Sequence, residues 1–182
     1  MVILNCRITK QDSTVLKDCV MSESNPLYLH YRGFHTGVDL EGVFVHSLYD
    51  GTVVHVGSSE SGRSVIIQTG SSFCMCYKHL KSCNVSVGNS VSQGDQIGQT
   101  DVYVHVECLE HKYSAWPVRI GRDTWYKQDV SKYIFGAGIC QDSTKFDSLG
   151  ISELFDYPSG RTEDIHNLSE SVNYTLYRNR GD

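Results

Sequence analysis

The chain has 182 residues, 40% of them apolar by type, with 16 glycines against 3 prolines and a formal net charge of −5. That is enough for one well-buried domain with an appendage and too little for a second full domain. No basic stripe runs through it, which excludes nucleic acid as the main partner because phosphate neutralisation needs clustered Lys and Arg, and no apolar run is long enough to span a membrane.

In chain order, the first 30 residues read as a strand and a loosely structured lead-in, with 1–24 set apart as the N-terminal lead-in to the domain. The opening MVILNCRITKQDSTVLKDCV lacks a basic leader, a long apolar run and a small-residue cleavage site, so synthesis in the cytoplasm without an export signal is expected. Seven cysteines cannot all pair internally, and in that compartment they are expected as free thiols. From about residue 40 to 110 the pattern has period two and is punctuated by Gly: GVFVHSLYDGTVVHVG, RSVIIQTG, FCMCYKHL, NVSVGNSVSQGDQIG and VYVHVEC. Short Val-, Ile-, Tyr- and Thr-rich strands separated by turns, with no helical stretch between them, predict a mainly β, antiparallel fold. Asp50-Gly51 is a candidate tight turn. Residues 111–135 carry both tryptophans and are expected to wrap against the sheet. Beyond Phe135 polarity rises; from 140 to 182 there are eight acidic and four basic side chains, and this C-terminal extension (136–182) reads as a docking arm.

Two stretches carry candidate chemistry. HTGVD places His35 and Asp39 around a Thr-Gly pair that no helix would favour, and VYVHVE is a strand in which Tyr103, His105 and Glu107 share one face while Val104 and Val106 enter the core. His35, Asp39 and His105 together form a nitrogen and oxygen donor set suited to Zn²⁺ with a fourth position open. Spacing alone is weak support, since the chain has eight histidines.

The order of motifs resembles the lysostaphin/LytM-type zinc metallopeptidases, which cut peptide bonds in peptidoglycan. HTGVDL matches the first motif, DGTVVHVG and SGRSVIIQTG the next two strands, YKHL the Y-x-H-L motif, VSVGNSVSQGDQIG the V-x-x-G-x-x-V-x-x-G-x-x-I-G stretch, and VHVE the end of the H-x-H motif. QDVSKYI is similar to the closing D-P-x-x-Y-[IL], with Val130 in the Pro position. The resemblance implies a metallopeptidase-like domain over 25–135, His35, Asp39 and His105 as zinc ligands, and His79 as a catalytic histidine that hydrogen-bonds the reacting water or the developing oxyanion. It implies a role for Glu107 behind a ligand histidine, orienting it through its other ring nitrogen.

Tyr103 stands where the H-x-H motif has its first His, and a phenol of pKa near 10 is poorly suited to accept a proton at neutral pH. Tyr103 is then a hydrogen-bond donor to an oxyanion, and Asp101 a substitute base if the short preceding loop turns it inward. Two functions stay open: a zinc endopeptidase acting on bacterial peptidoglycan, or a catalytically degenerate module that keeps its zinc. In either case the expected setting is a phage tail, with residues 136–182 docking on other virion proteins. His30, His46, His55, His111 and His166 are expected to be structural or solvated, and Cys74-x-Cys76 to be buried thiols in preference to a thiolate metal site.

Overall fold

A computed structural model describes residues 7–8 and 15–134; the expected extension at 136–182 lies outside the described residues. The strands are β1 (Arg7–Ile8), β2 (Val15–Lys17), β3 (Val38–Glu41), β4 (Phe44–His46), β5 (Gly51–Ser59), β6 (Gly62–Thr69), β7 (Phe73–Leu80), β8 (Ser82–Cys83), β9 (Ser90–Val91), β10 (Gln96–Gln99), β11 (Tyr103–Glu110), β12 (Pro117–Ile120) and β13 (Asp123–Gln128), with short helices α1 (Pro26–Tyr31) and α2 (Ser131–Ile134). They form a nine-stranded sheet, seven strands of it in the order β12-β13-β11-β7-β6-β5-β9 with β3 paired to β11 and β2 to β3, and a four-stranded sheet β1-β4-β10-β8. Among the described residues, every strand pairing but β1 with β4 is antiparallel, as the alternating strands and short turns predict.

The core follows from side-chain alternation. Along β7, Met75 and Tyr77 face the main core with Val38, Leu40, Val65, Ile67, Val104 and Val106, and Val45, Leu48 and Ile97 close it from the side of the smaller sheet. Cys74 and Cys76 face the other way and pack with Ile66, Leu109 and Trp125. Each large apolar side chain so buried contributes roughly 1.5–3 kcal/mol relative to exposure. Strand β11 is the organising element: one edge pairs with β7, while the other is shared between β3 at its start and β13 at its end.

Several expectations need correction. Residues 15–24 are part of the sheet domain and not a loose lead-in: β2 pairs with β3, Val20 bridges His35, and Leu16 and Val20 are fully buried. A helix that the period-two reading passed over follows, with Pro26 at its start, the Asn25 side chain accepting from Leu27 N–H, and Arg32 closing it in the left-handed region at φ 56°. Residues 111–134 extend the sheet as the β12–β13 hairpin followed by α2, while Trp125 packs back against Ile66, Cys74, Cys76 and Leu109. Asp50-Gly51 is not a two-residue hairpin turn. Gly51 opens β5, where a Cβ would lie 2.4 Å from the Gln68 carbonyl oxygen, so the glycine serves close backbone approach. Among the described residues, no helix is long and apolar enough to cross a membrane.

Candidate metal centre

Register places the polar strand residues together. His105 on β11 lies opposite Asp39 on β3 and Lys78 on β7, and Glu107 lies opposite Cys76. Val104 and Val106 turn to the core, so His105 and Glu107 occupy the opposite face. His35 arrives from the segment before β3, held by backbone hydrogen bonds in both directions with Val20. Gly37 permits the approach: a Cβ there would meet the Val106 carbonyl oxygen at 2.4 Å and His105 Nε2 at 2.7 Å. The Thr-Gly of HTGVD is therefore what lets the loop lie against β11 and bring His35 beside His105, their rings 4.7 Å apart.

Ligand-capable atoms of His35, Asp39 and His105 all lie within 4.8 Å of one another, and all three residues are buried. His35 Nδ1 lies 2.8 Å from the Asp18 carbonyl oxygen, which can only accept, so Nδ1 donates there and Nε2 is the nitrogen turned to Asp39. That Nε2 is 3.3 Å from Asp39 Oδ1, and His105 Nδ1 is 2.9 Å from the same oxygen. Such spacings are close to the roughly 3.3 Å edge of a tetrahedron of zinc–nitrogen and zinc–oxygen bonds. Asp39 Oδ2, buried, has no hydrogen-bond partner. A desolvated carboxylate with an unpartnered oxygen and two imidazoles converging on its other oxygen is a donor set that a divalent cation satisfies.

Behind His105 lies Glu107, 1% exposed. Its Oε1 is 3.2 Å from His105 Nε2 and accepts from Thr36 Oγ1 at 2.9 Å, Lys78 Nζ at 2.9 Å and Lys127 Nζ at 2.7 Å. Burial alone would raise its pKa; Lys127, Lys78 and His105 outweigh that and hold the carboxyl well below its usual range, so Glu107 is ionised. Its position against His105 Nε2 leaves Nδ1 as the nitrogen turned to Asp39.

At the edge of this group, the register slips on β7: Val65 pairs Tyr77, whereas Arg63 pairs Leu80. The extra residue makes a bulge at Lys78-His79, and His79 takes φ 63°, a conformation uncommon for a residue with a Cβ. Leu80 and Tyr77 thereby both reach the core while His79 turns to the side of His105 and Tyr103, its ring 5.8 Å from that of His105 and 5.5 Å from that of Tyr103. His79 Nδ1 lies 3.0 Å from the Ser61 carbonyl oxygen. Thr100, 4% exposed, bonds the backbone carbonyls of both His79 and Tyr103 through its hydroxyl. Asp101 is placed elsewhere. The loop turns it outward into a 2.8 Å pair with Lys81, its side chain 73% exposed, so the condition on which its role as a substitute base depended is not met.

The remaining candidates are accounted for without the centre. Cys19, Cys74, Cys76, Cys83 and Cys108 are free thiols. Burial pushes Cys74 and Cys76 up to about 12, so neither offers a thiolate at neutral pH. His46 Nδ1 meets the Gly94 carbonyl and His111 stacks on Trp125, whereas His166 lies outside the described residues. Sequence reasoning missed Thr36, Lys78, Thr100 and Lys127. Lys78 and Thr36 could have been found as neighbours of motif residues on the same face; Lys127 carries no local signal, because only the hairpin brings it to Glu107.

Comparison with known proteins fits this architecture. Residues 33–107 match the model of peptidase family M23. A structure of lysostaphin superposes with a TM-score of 0.52 at 19% identity, covering 72% of this chain and 55% of that one. A structure of LytU superposes with a TM-score of 0.50 at 20% identity, covering 68% of this chain and 85% of that one. Looser, at a TM-score of 0.46 and 24% identity, is a mutant form of the catalytic domain of the prophage-encoded M23 protein EnpA from Enterococcus faecalis, over 56% of this chain and 84% of that one. A search of curated proteins returns no match. The structural likenesses report a shared fold, and the segment that sets the two histidines and the aspartate together, residues 33–107, is the part of the chain that matches the model of peptidase family M23.

Proposed function

We propose that the chain is a zinc-dependent endopeptidase cleaving peptide bonds in bacterial peptidoglycan, and that it is delivered on a phage tail. The observation that carries the enzymatic reading is the convergence of His35, Asp39 and His105, buried, around a carboxylate whose second oxygen lacks a hydrogen-bond partner. The match of residues 33–107 to the model of a peptidase family supports it, and the fold shared with lysostaphin and LytU is consistent with it.

His35, Asp39 and His105 would hold the ion, which when bound supplies Lewis acidity toward a peptide carbonyl and lowers the pKa of water. The chain's own groups do the rest. The Asp18 carbonyl and Glu107 fix the two ligand rings so that Nε2 of His35 and Nδ1 of His105 face Asp39. His79 Nδ1 donates to the Ser61 carbonyl oxygen, which fixes the ring so that Nε2 is the atom to exchange a proton during attack and to donate toward the negative charge that develops. Tyr103 is the neighbouring phenol, a donor to a developing oxyanion. His79 thus assumes the proton-accepting work for which Tyr103 is unsuited.

One observation favours a second reading, a degenerate module that keeps its zinc: Tyr103 occupies the position of a family histidine. Cleavage of the same cross-linked wall fragments by native protein, Tyr103→His and His79→Ala at matched zinc occupancy separates the two. Native protein should cleave slowly, Tyr103→His faster, and His79→Ala slower by about 10²-fold or more. No cleavage by any of them, all folded and metal-loaded, selects the structural module.

Residues 136–182, acidic and dotted with aromatics, are the segment assigned to docking on other tail proteins. Deleting them should spare zinc binding and remove assembly into virions; a truncated protein that is insoluble and metal-free assigns the segment to the fold instead.

A further inference from the structure

The charges behind His105 do not balance. Glu107 is a single carboxylate on which two ammonium groups converge, Lys78 Nζ at 2.9 Å and Lys127 Nζ at 2.7 Å, and the same oxygen accepts from Thr36 Oγ1 at 2.9 Å. The contact with His105 Nε2 is the longest of the four, at 3.2 Å. An oxygen offers few acceptor positions, so the donors compete and the imidazole receives the weakest share. Lys127 is the more deeply placed lysine, its side chain 12% exposed against 33% for Lys78. It also reaches Thr36 Oγ1 at 2.8 Å, adjacent in sequence to His35. It comes from β13, beyond the segment 33–107 that matches the family model, and no motif residue requires it.

We propose that Lys127 is a positioning residue that tunes the metal centre by drawing the Glu107 carboxylate away from His105, so that the ligand imidazole is oriented without being made strongly basic. A carboxylate hydrogen-bonded to the far nitrogen of a ligand histidine raises its basicity and its hold on the metal. With a lysine drawing on that carboxylate, the push is weakened, and an added positive charge sits one oxygen atom behind the ligand. Both effects loosen the ion. Lys127 therefore lowers zinc affinity while keeping the geometry, the opposite of what a purely structural lysine would do. The inference rests on the zinc-binding reading above.

The sign of the effect is the test. The full chain, Lys127→Met and Lys127→Arg are titrated with zinc alone against a competing chromogenic chelator, and each is melted to confirm folding. Removing one buried charge should tighten zinc on the order of 10-fold, even where the melting temperature falls. Lys127→Arg keeps the charge and should bind within a few-fold of native protein. If Lys127→Met does not melt cooperatively, Lys78→Met removes the other ammonium and should tighten zinc in the same direction. Unchanged or weaker zinc in the folded methionine variant overturns the proposal while the metal site stands. Native protein that binds no zinc sinks the metal reading and this inference together.

Discussion

Strand β11 buries both of its faces, and along its first half the two faces have opposite chemistry. On one, Val104 and Val106 lie in the apolar core with Met75 and Tyr77; on the other, His105 is 2% and Glu107 1% exposed, with Asp39 and the half-buried Lys78 beside them. Depth is equal, so depth does not explain the difference. An apolar side chain needs volume around it, whereas a buried ionised group needs a named partner at hydrogen-bond distance. The core face therefore tolerates substitution in proportion to the volume lost, and the polar face answers to charge and geometry. The bulge at Lys78-His79 marks where one strand switches between these demands.

The comparison breaks first on the core side. Met75→Ala removes a fully buried side chain and should cost about 2–5 kcal/mol in urea unfolding, yet leave zinc stoichiometry unchanged in the folded protein. Loss of zinc at full folding would show that the two faces are not separable.

On the metal side, Asp18 sharpens it. Burial, then repulsion from Asp129, raises its pKa from 3.8 to about 7, against a lowering influence from His35. Because the folded value lies above the unfolded one, the protonated form favours folding, and that contribution is lost as pH rises from about 4 through about 7. Glu107, held ionised, contributes in the opposite sense, with stability present above the ordinary carboxylate range and lost only in acid. Between pH 5 and pH 8, then, metal-free native protein should lose up to roughly 2 kcal/mol that Asp18→Asn does not lose. Parallel curves for the two proteins would contradict the account.

A smaller effect is expected at Thr100, where one hydroxyl ties the backbones carrying His79 and Tyr103. Thr100→Val should cost about 1 kcal/mol in stability but lower turnover more than substrate affinity, and Thr100→Ser should restore both. Equal losses in the valine and serine variants would assign Thr100 to packing alone.

Much of this was legible in the sequence, for a physical reason: strand alternation assigns faces without knowledge of partners. Period two put Tyr103, His105 and Glu107 on one face and the valines on the other, and the glycine-punctuated runs gave the antiparallel sheet. What escaped depends on distant pairing. The stretch before residue 24 reads as polar and irregular, yet Val20 and the Asp18 carbonyl hold His35, a contact across 17 residues for the carbonyl. Lys127 reads as one of many surface lysines until β13 pairs with β11. Asp101 looked available because the length of a loop does not say which way it turns.

The most direct measurement is metal content. Full-length native protein, His105→Ala and Asp39→Asn, each shown to be folded, are equilibrated with zinc, freed of loose metal and assayed by elemental mass spectrometry. The account predicts about one zinc per native chain and almost none in either variant, because two remaining ligands do not hold the ion tightly. Equal zinc in all three proteins would contradict the assignment of His35, Asp39 and His105 as the metal centre.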